Sequence, residues 1–151
     1  SFFCAGSPST QGTLDLMQRF GVEPARVDHL RYRGFGWPGY FSTRTTGSAA
    51  VVEHQIYHDA WAFLQKYRPY AVHLFPDGSG EEADISCGDP WYRPVEKGEP
   101  GSSLIVVRTE RGRALLQRAV AAGAIEARPL SAENLHKSQA NLTSKRGAVW
   151  G

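Results

Sequence analysis

Residues 6–10, Gly-Ser-Pro-Ser-Thr, place small side chains between an apolar run and a stretch of helical periodicity. A loop of that kind leaves backbone N–H groups pointing out of a helix N-terminus, which suits a phosphate or pyrophosphate. The hydroxyls of Ser7, Ser9 and Thr10 can add donors, and Gly6 and Pro8 shape the turn. The same pattern also describes a plain helix cap with no ligand. The GxGxxG spacing of a dinucleotide fold is not present here, so no Rossmann assignment follows.

Residues 31–41, "RYRGFGWPGYF", combine two arginines and three glycines with a run of aromatics. Guanidinium groups bind phosphate and stack on flat rings. Gly34 and Gly39 let the backbone come close to a ligand. Arg33 supplies charge, and Trp37 and Tyr40 can wall a planar heterocycle. A surface loop that tucks its aromatics into a satellite core has the same composition.

A third stretch, "PDGSGEEADISCGDPW" (76–91), holds Asp77, Glu81, Glu82, Asp84 and Asp89. Two of these could work as an acid/base pair, bind Mg²⁺, or hold ribose or ribityl hydroxyls. Turn chemistry accounts for Glu81 and Glu82. Asp84 and Asp89 sit within and at the end of an expected strand, with Ser86 between them and Trp91 just beyond, and are candidate binding residues. In "VVRTERG" (106–112), Arg108 ends a strand, where ligands gather in α/β sheets. Thr109 then caps a helix, and a capped helix with surface arginines is the alternative.

The two cysteines, Cys4 and Cys87, lie in apolar runs and are expected to be buried and structural. A Cys–His pair with His29, His54, His58 or His73 is conceivable, but no spacing selects one. The histidines show no HExxH-type zinc spacing.

These candidates need elements to hold them. Residues 1–6 are expected as a buried strand and 10–20 as a helix stopped by Gly21. Strands follow at 26–34, 40–46 and 49–57. Asp59 is expected to cap a short helix ended by Arg68-Pro69. "YAVHLFPDG" (70–78) reads as a buried strand running into a turn. "ADISCGDPW" and "LIVV" (104–107) are strands, separated by a long loop at 91–103. A helix runs from Thr109 to about Ala122, "AIEARPL" (124–130) is a short strand, and Ser131 caps a last helix whose Lys137, Lys145 and Arg146 form a solvated face. The expected class is α/β, a mixed β-sheet with flanking helices, in one domain spanning 1–151.

The totals agree. A chain of 151 residues, 41% hydrophobic, can bury one ordinary core. A formal charge of +2 is too small to argue for nucleic acid. Two cysteines give no disulfide framework, which fits free thiols and a cytoplasmic location. No apolar run reaches membrane-spanning length. The apolar opening without Met is expected of a piece of a larger protein.

Taken in order, "FCAGSPSTQGTLDLM", "LRYRGFGWPG", "HLFPDGSGEEADISCGDPW" and "SSLIVVRTERG" resemble the C-terminal domain of the coenzyme F420 hydrogenase/dehydrogenase beta-subunit family, best over 2–123. The resemblance implies a flavin-dependent oxidoreductase that uses FAD. It passes hydride or electrons to F420 or another small-molecule acceptor, often beside an electron-transfer partner subunit. It also implies a [4Fe–4S] cluster on a Cys-x-x-Cys-Pro-Asp motif. Here those cysteine places hold Val72 and Phe75, and Ser9 stands where many members have Cys. A cluster needs thiolates, so [4Fe–4S] is not expected within this segment, and the stretch is expected to behave as ordinary core. Under this resemblance the loop at Gly6–Thr10, with Arg33 or Arg108, would neutralise pyrophosphate. Trp37 and Trp91 would flank rings, while Asp84, Ser86 and Asp89 would hold hydroxyls or the ring edge. The alternatives are a degenerate, non-redox binding or scaffold module, and an enzyme using Ser9 or Cys87 as nucleophile.

Overall fold

The computed structural model describes residues 1–96 and 98–144. The expected Lys145 and Arg146 lie outside them. The chain divides into two compact units. One comprises Ser1–Ala5, Leu74–Pro94 and the stretch from Ser102 onward; the other comprises Gly6–His73 and Val95–Gly101.

The Gly6–His73 unit begins with helix α1, Thr10–Arg19. Its apolar residues return every third or fourth position, so Leu16 and Met17 share a face and are buried. Gly21, at φ +66°, ends the helix in the left-handed region that a side chain would disfavour. Strands β1 (Val27–Arg31), β2 (Tyr40–Thr45) and β3 (Val52–Ile56) form an antiparallel sheet in that order. Leu30 faces Thr43, and Phe41 faces Gln55. Helix α2, Tyr57–Leu64, follows β3 directly. Ile56 holds its cap position, so Asp59 lies inside the first turn rather than capping it. The core is Leu16, Met17, Phe41, Ala60 and Leu64, with Phe20, Leu30 and Phe63 packed around it.

The other unit is built on strands β4 (Ile85–Gly88) and β5 (Leu104–Val107), paired antiparallel with Ile85 opposite Val107. Phe2 adds a parallel bridge to Cys87, so pairing here is mixed. Helix α4, Glu110–Ala121, is capped by Thr109, whose side chain accepts the Gly112 N–H. Helix α5, Ala132–Ser138, is capped by Ser131 in the same way through Asn134, and helical backbone resumes at 140–144.

The α/β class with flanking helices is as expected, with the strands shared between two small sheets. Several local expectations are corrected. Residues 1–6 make one bridge rather than a strand, and Phe2 is 74% exposed. Cys4 is exposed and Cys87 half-buried. Residues 124–130 form no strand and are exposed. The run at 70–75 is not a core strand. Ala71–Leu74 make a single helical turn, α3, and Tyr70, Leu74 and Phe75 are 75%, 63% and 67% exposed. Pro69 accepts the Val72 N–H at 3.0 Å through its carbonyl, which starts a turn where a strand would need extended backbone. Val72 and Phe75 therefore do not become ordinary core together: Val72 is half-buried against Gly6, and Phe75 is exposed.

Candidate functional site

Nine of the sequence-derived candidates lie in the Gly6–His73 unit. Gly6, Ser7, Pro8 and Ser9 form the loop before α1, and Thr10 is its first residue. Gly6 has φ +95°, and a Cβ there would collide with the Val72 side chain, so only glycine holds this turn. The Ser9 N–H donates to the Tyr67 carbonyl at 2.9 Å, which fixes the loop to the end of the turn after α2. Gly34 and Gly39 pair across the neck of the 34–39 loop, and the Gly34 N–H donates to the Pro38 carbonyl at 3.2 Å. Trp37 packs at the backbone of Gly101: a Cβ on that glycine would sit 2.9 Å from the Trp37 ring.

This unit contains a cavity of about 290 Å³. Gly6, Ser7 and Pro8 form one side. Tyr32, Tyr57 and Trp61 supply aromatic faces, and Ala60 and Leu64 close the floor. The Arg33 guanidinium stacks over the Tyr57 ring, 5.4 Å from its centre. The Tyr32 hydroxyl is hydrogen-bonded to Thr13 on α1, which orients that ring. The cavity thus joins flat apolar walls and a helix N-terminal loop, with the Arg33 cation stacked on one wall residue.

The structure brings the 6–8 loop to this cavity; Arg33 and Trp37 are both outside its lining, and Arg33 meets it only through its stack on Tyr57. The structure adds Tyr32, Tyr57 and Trp61.

The other six candidates lie in the unit containing β4 and β5. Asp84 accepts hydrogen bonds from the Thr109 hydroxyl and from Arg111, whose Nε is at 2.9 Å. The Thr109 hydrogen bond, then Arg111, hold the Asp84 carboxyl below the usual carboxylate range. Both oxygens of Asp84 therefore serve the β4–α4 joint. Arg108 donates to the Ser86 hydroxyl and, at 3.3 and 3.4 Å, to the carbonyl and hydroxyl of Ser79. Ser86 is fully buried, so its hydroxyl braces Arg108 and offers nothing to a ligand. Asp89 accepts Gln139 Nε2 on its carbonyl at 2.7 Å, and Trp91 is half-buried in the turn that follows.

Asp77 organises the turn before β4. It accepts the N–H groups of Ser79 at 2.7 Å and Glu81 at 2.9 Å, and the Ser79 hydroxyl at 3.0 Å. Burial pushes its carboxyl up, but these hydrogen bonds outweigh that and hold it low. A second cleft, of about 210 Å³, lies between this turn, Arg108 and the helical segment around Gln139.

Residues 1–133 match the sequence model of the family described as the C terminus of the coenzyme F420 hydrogenase/dehydrogenase beta subunit. The chain belongs to this family. Its fold is similar to a chain in the xenon-derivatised F420-reducing [NiFe] hydrogenase complex from Methanosarcina barkeri, with TM-score 0.58 and 22% identity. The match covers 99% of this chain and 48% of that one, so the chain spans about half the length of its structural relative. A comparison with curated proteins finds no match.

The cofactors suggested by the family resemblance can be tested against these residues. Pockets for drug-sized ligands run from about 300 to 1,000 Å³, so neither cavity alone encloses a whole dinucleotide. The residues of the 290 Å³ cavity do fit one ring and an adjoining phosphate of a flavin. A [4Fe–4S] cluster does not fit at the 72–75 motif, where Val72 and Phe75 carry no thiol. Among the described residues no three of His, Cys, Asp and Glu group as metal ligands, and no helix is long and apolar enough to cross a membrane.

Proposed function

We propose that this chain is the flavin-binding part of an oxidoreductase, passing hydride or electrons between FAD and a deazaflavin such as F420 or another redox partner. The observation that carries the reading is the cavity of Tyr32, Tyr57 and Trp61 beside the Gly6–Pro8 loop, with Arg33 stacked on Tyr57. Family membership sets the reaction class. When bound, FAD supplies the hydride and electron chemistry. The chain's own residues bind and orient. The aromatic faces exclude water from one ring, the Ser7 hydroxyl and Arg33 meet phosphate charge, and Gly6 lets the backbone come close. Arg33 takes the phosphate role in this reading, because it stacks on Tyr57, a residue of the cavity wall. A partner subunit and a cytoplasmic location belong to the same proposal.

The test is the visible spectrum of the purified full-length protein, followed by FAD titration read by flavin fluorescence. Twin flavin bands, and saturable binding that Tyr57→Ala weakens at least tenfold, are expected. A protein spectrum with no flavin bands after FAD is added and the unbound FAD removed would overturn the reading in favour of a non-redox binding module. A broad shoulder bleached by dithionite would place cluster ligands elsewhere in the full-length protein.

A further inference from the structure

We infer that the cleft beside Arg108 is a binding site for a small monocarboxylate with an apolar body. The inference is independent of the flavin reading. Its starting point is Arg108, a half-buried guanidinium at the end of β5. Among the described residues its side-chain hydrogen-bond partners are all neutral: Ser86, and the carbonyl and hydroxyl of Ser79. Charged side chains out of full contact with water are ordinarily paired with an opposite charge. The acid that shares the cleft, Asp77, is turned into its own loop. Its oxygens take the N–H groups of Ser79 and Glu81 and the Ser79 hydroxyl. Ser79 thus bridges the two charges, and Arg108 keeps donors for an anion arriving from the cleft.

The rest of the lining sets the ligand's size and class. At about 210 Å³ the cleft is below the roughly 300–1,000 Å³ of pockets for drug-sized ligands, so the occupant is small. Phe3, Val106, Leu135 and Leu142 give it an apolar bed. Gln139 anchors that wall through its hydrogen bond to the Asp89 carbonyl. Glu81 also lines the cleft, and with Asp77 it opposes a dianion. One guanidinium fork balances one carboxylate. A monocarboxylate on a ring or short alkyl group therefore fits better than phosphate.

The probe is sodium benzoate, titrated into the full-length protein and followed by two-dimensional ¹H–¹⁵N NMR. Amides of Ser79, Glu81, Arg108 and Thr143 should shift saturably, with a dissociation constant on the order of 1 mM. Inorganic phosphate at the same concentrations should give no saturable shift. Arg108→Gln should weaken benzoate at least tenfold. Thr143 is exposed at the rim, so Thr143→Glu keeps the test valid if the arginine variant does not fold. It should weaken binding several-fold, whereas Glu81→Gln should tighten it. Linear, unsaturable shifts would overturn the proposal. So would equal benzoate affinity in Arg108→Gln and Thr143→Glu, or phosphate binding as tight as benzoate.

Discussion

Thr109 and Asp84 lock helix α4 to strand β4 with one hydroxyl. The Thr109 oxygen accepts the Gly112 N–H at 3.1 Å and donates its own proton to the Asp84 carboxylate. Asp84 answers with Arg111, which is 86% exposed and reaches back over the joint. The cap and the carboxylate therefore depend on each other. Thr109→Val keeps the shape and removes both bonds, and should destabilise the protein by about 0.5–2 kcal/mol in urea unfolding. The carboxylate also sets a pH dependence. Its folded pKa lies below the ordinary value, so its contribution is full above about pH 4 and fades as pH falls through the folded value. Asp84→Asn should be less stable at neutral pH and lose less stability on acidification. A variant whose acid unfolding parallels the parent would rule this out.

His54 titrates in the opposite sense to a paired histidine. It stacks on Phe20, at 5.1 Å, lies tilted to Phe41, at 5.9 Å, and bonds the Thr43 hydroxyl at 2.7 Å. Burial there lowers its pKa, because the charged form loses hydration. The stability held by neutral His54 is full above the unfolded value of about 6.5 and is lost as pH falls through the lower folded value. Thermal unfolding should drop in that window. His54→Phe, which keeps a flat ring, should flatten the drop. An unchanged profile in the variant would assign the pH dependence to other groups.

The sequence reveals the periodic and capped elements best. Gly21 marks the end of α1, Thr109 and Ser131 mark the starts of α4 and α5, and the Gly47-Ser48 turn separates β2 from β3. It misleads at 70–75. A short apolar run has no period of its own, and length cannot separate a strand from one helical turn. Ala71 and Leu74 are good helix formers, and the Pro69 carbonyl starts the turn. The site is half legible. The glycines of the 6–10 and 34–39 loops announce close backbone approach. Trp61 on α2 is not marked as a site residue, because a cavity wall and a core face share one helical spacing. Ser86 reads as a ligand donor, and only the fold reveals that Arg108 already occupies it.

Gly112 should tolerate no side chain, although it sits inside a helix. A Cβ there would lie 2.5 Å from the Asp84 carbonyl oxygen and 3.0 Å from Ile85 Cγ1. Alanine would normally gain up to about 1 kcal/mol over glycine in a helix. The obstacle here is backbone, which cannot swing aside, so overpacking should win by about 1–3 kcal/mol. Gly112→Ala should lower the urea midpoint without changing the slope. A raised midpoint would show that α4 can slide away from β4 at little cost.

Gly6 gives the most direct test of the flavin cavity. Its φ of +95° costs an alanine about 1–2 kcal/mol, and Val72 stands where the methyl would go. The loop must shift, and it carries Ser7 and Pro8, which line the cavity with it. Gly6→Ala should therefore weaken FAD binding at least tenfold in a fluorescence titration, beyond any loss of fold seen by circular dichroism. Val72→Ala removes the two nearest atoms but leaves its Cβ at 3.2 Å and the backbone strain, so adding it should recover only part of the affinity. Arg33→Gln should weaken FAD binding while leaving FAD-free stability near the parent's, since Arg33 is exposed. If Gly6→Ala binds FAD as tightly as the parent, the Gly6–Pro8 loop is no part of the flavin site.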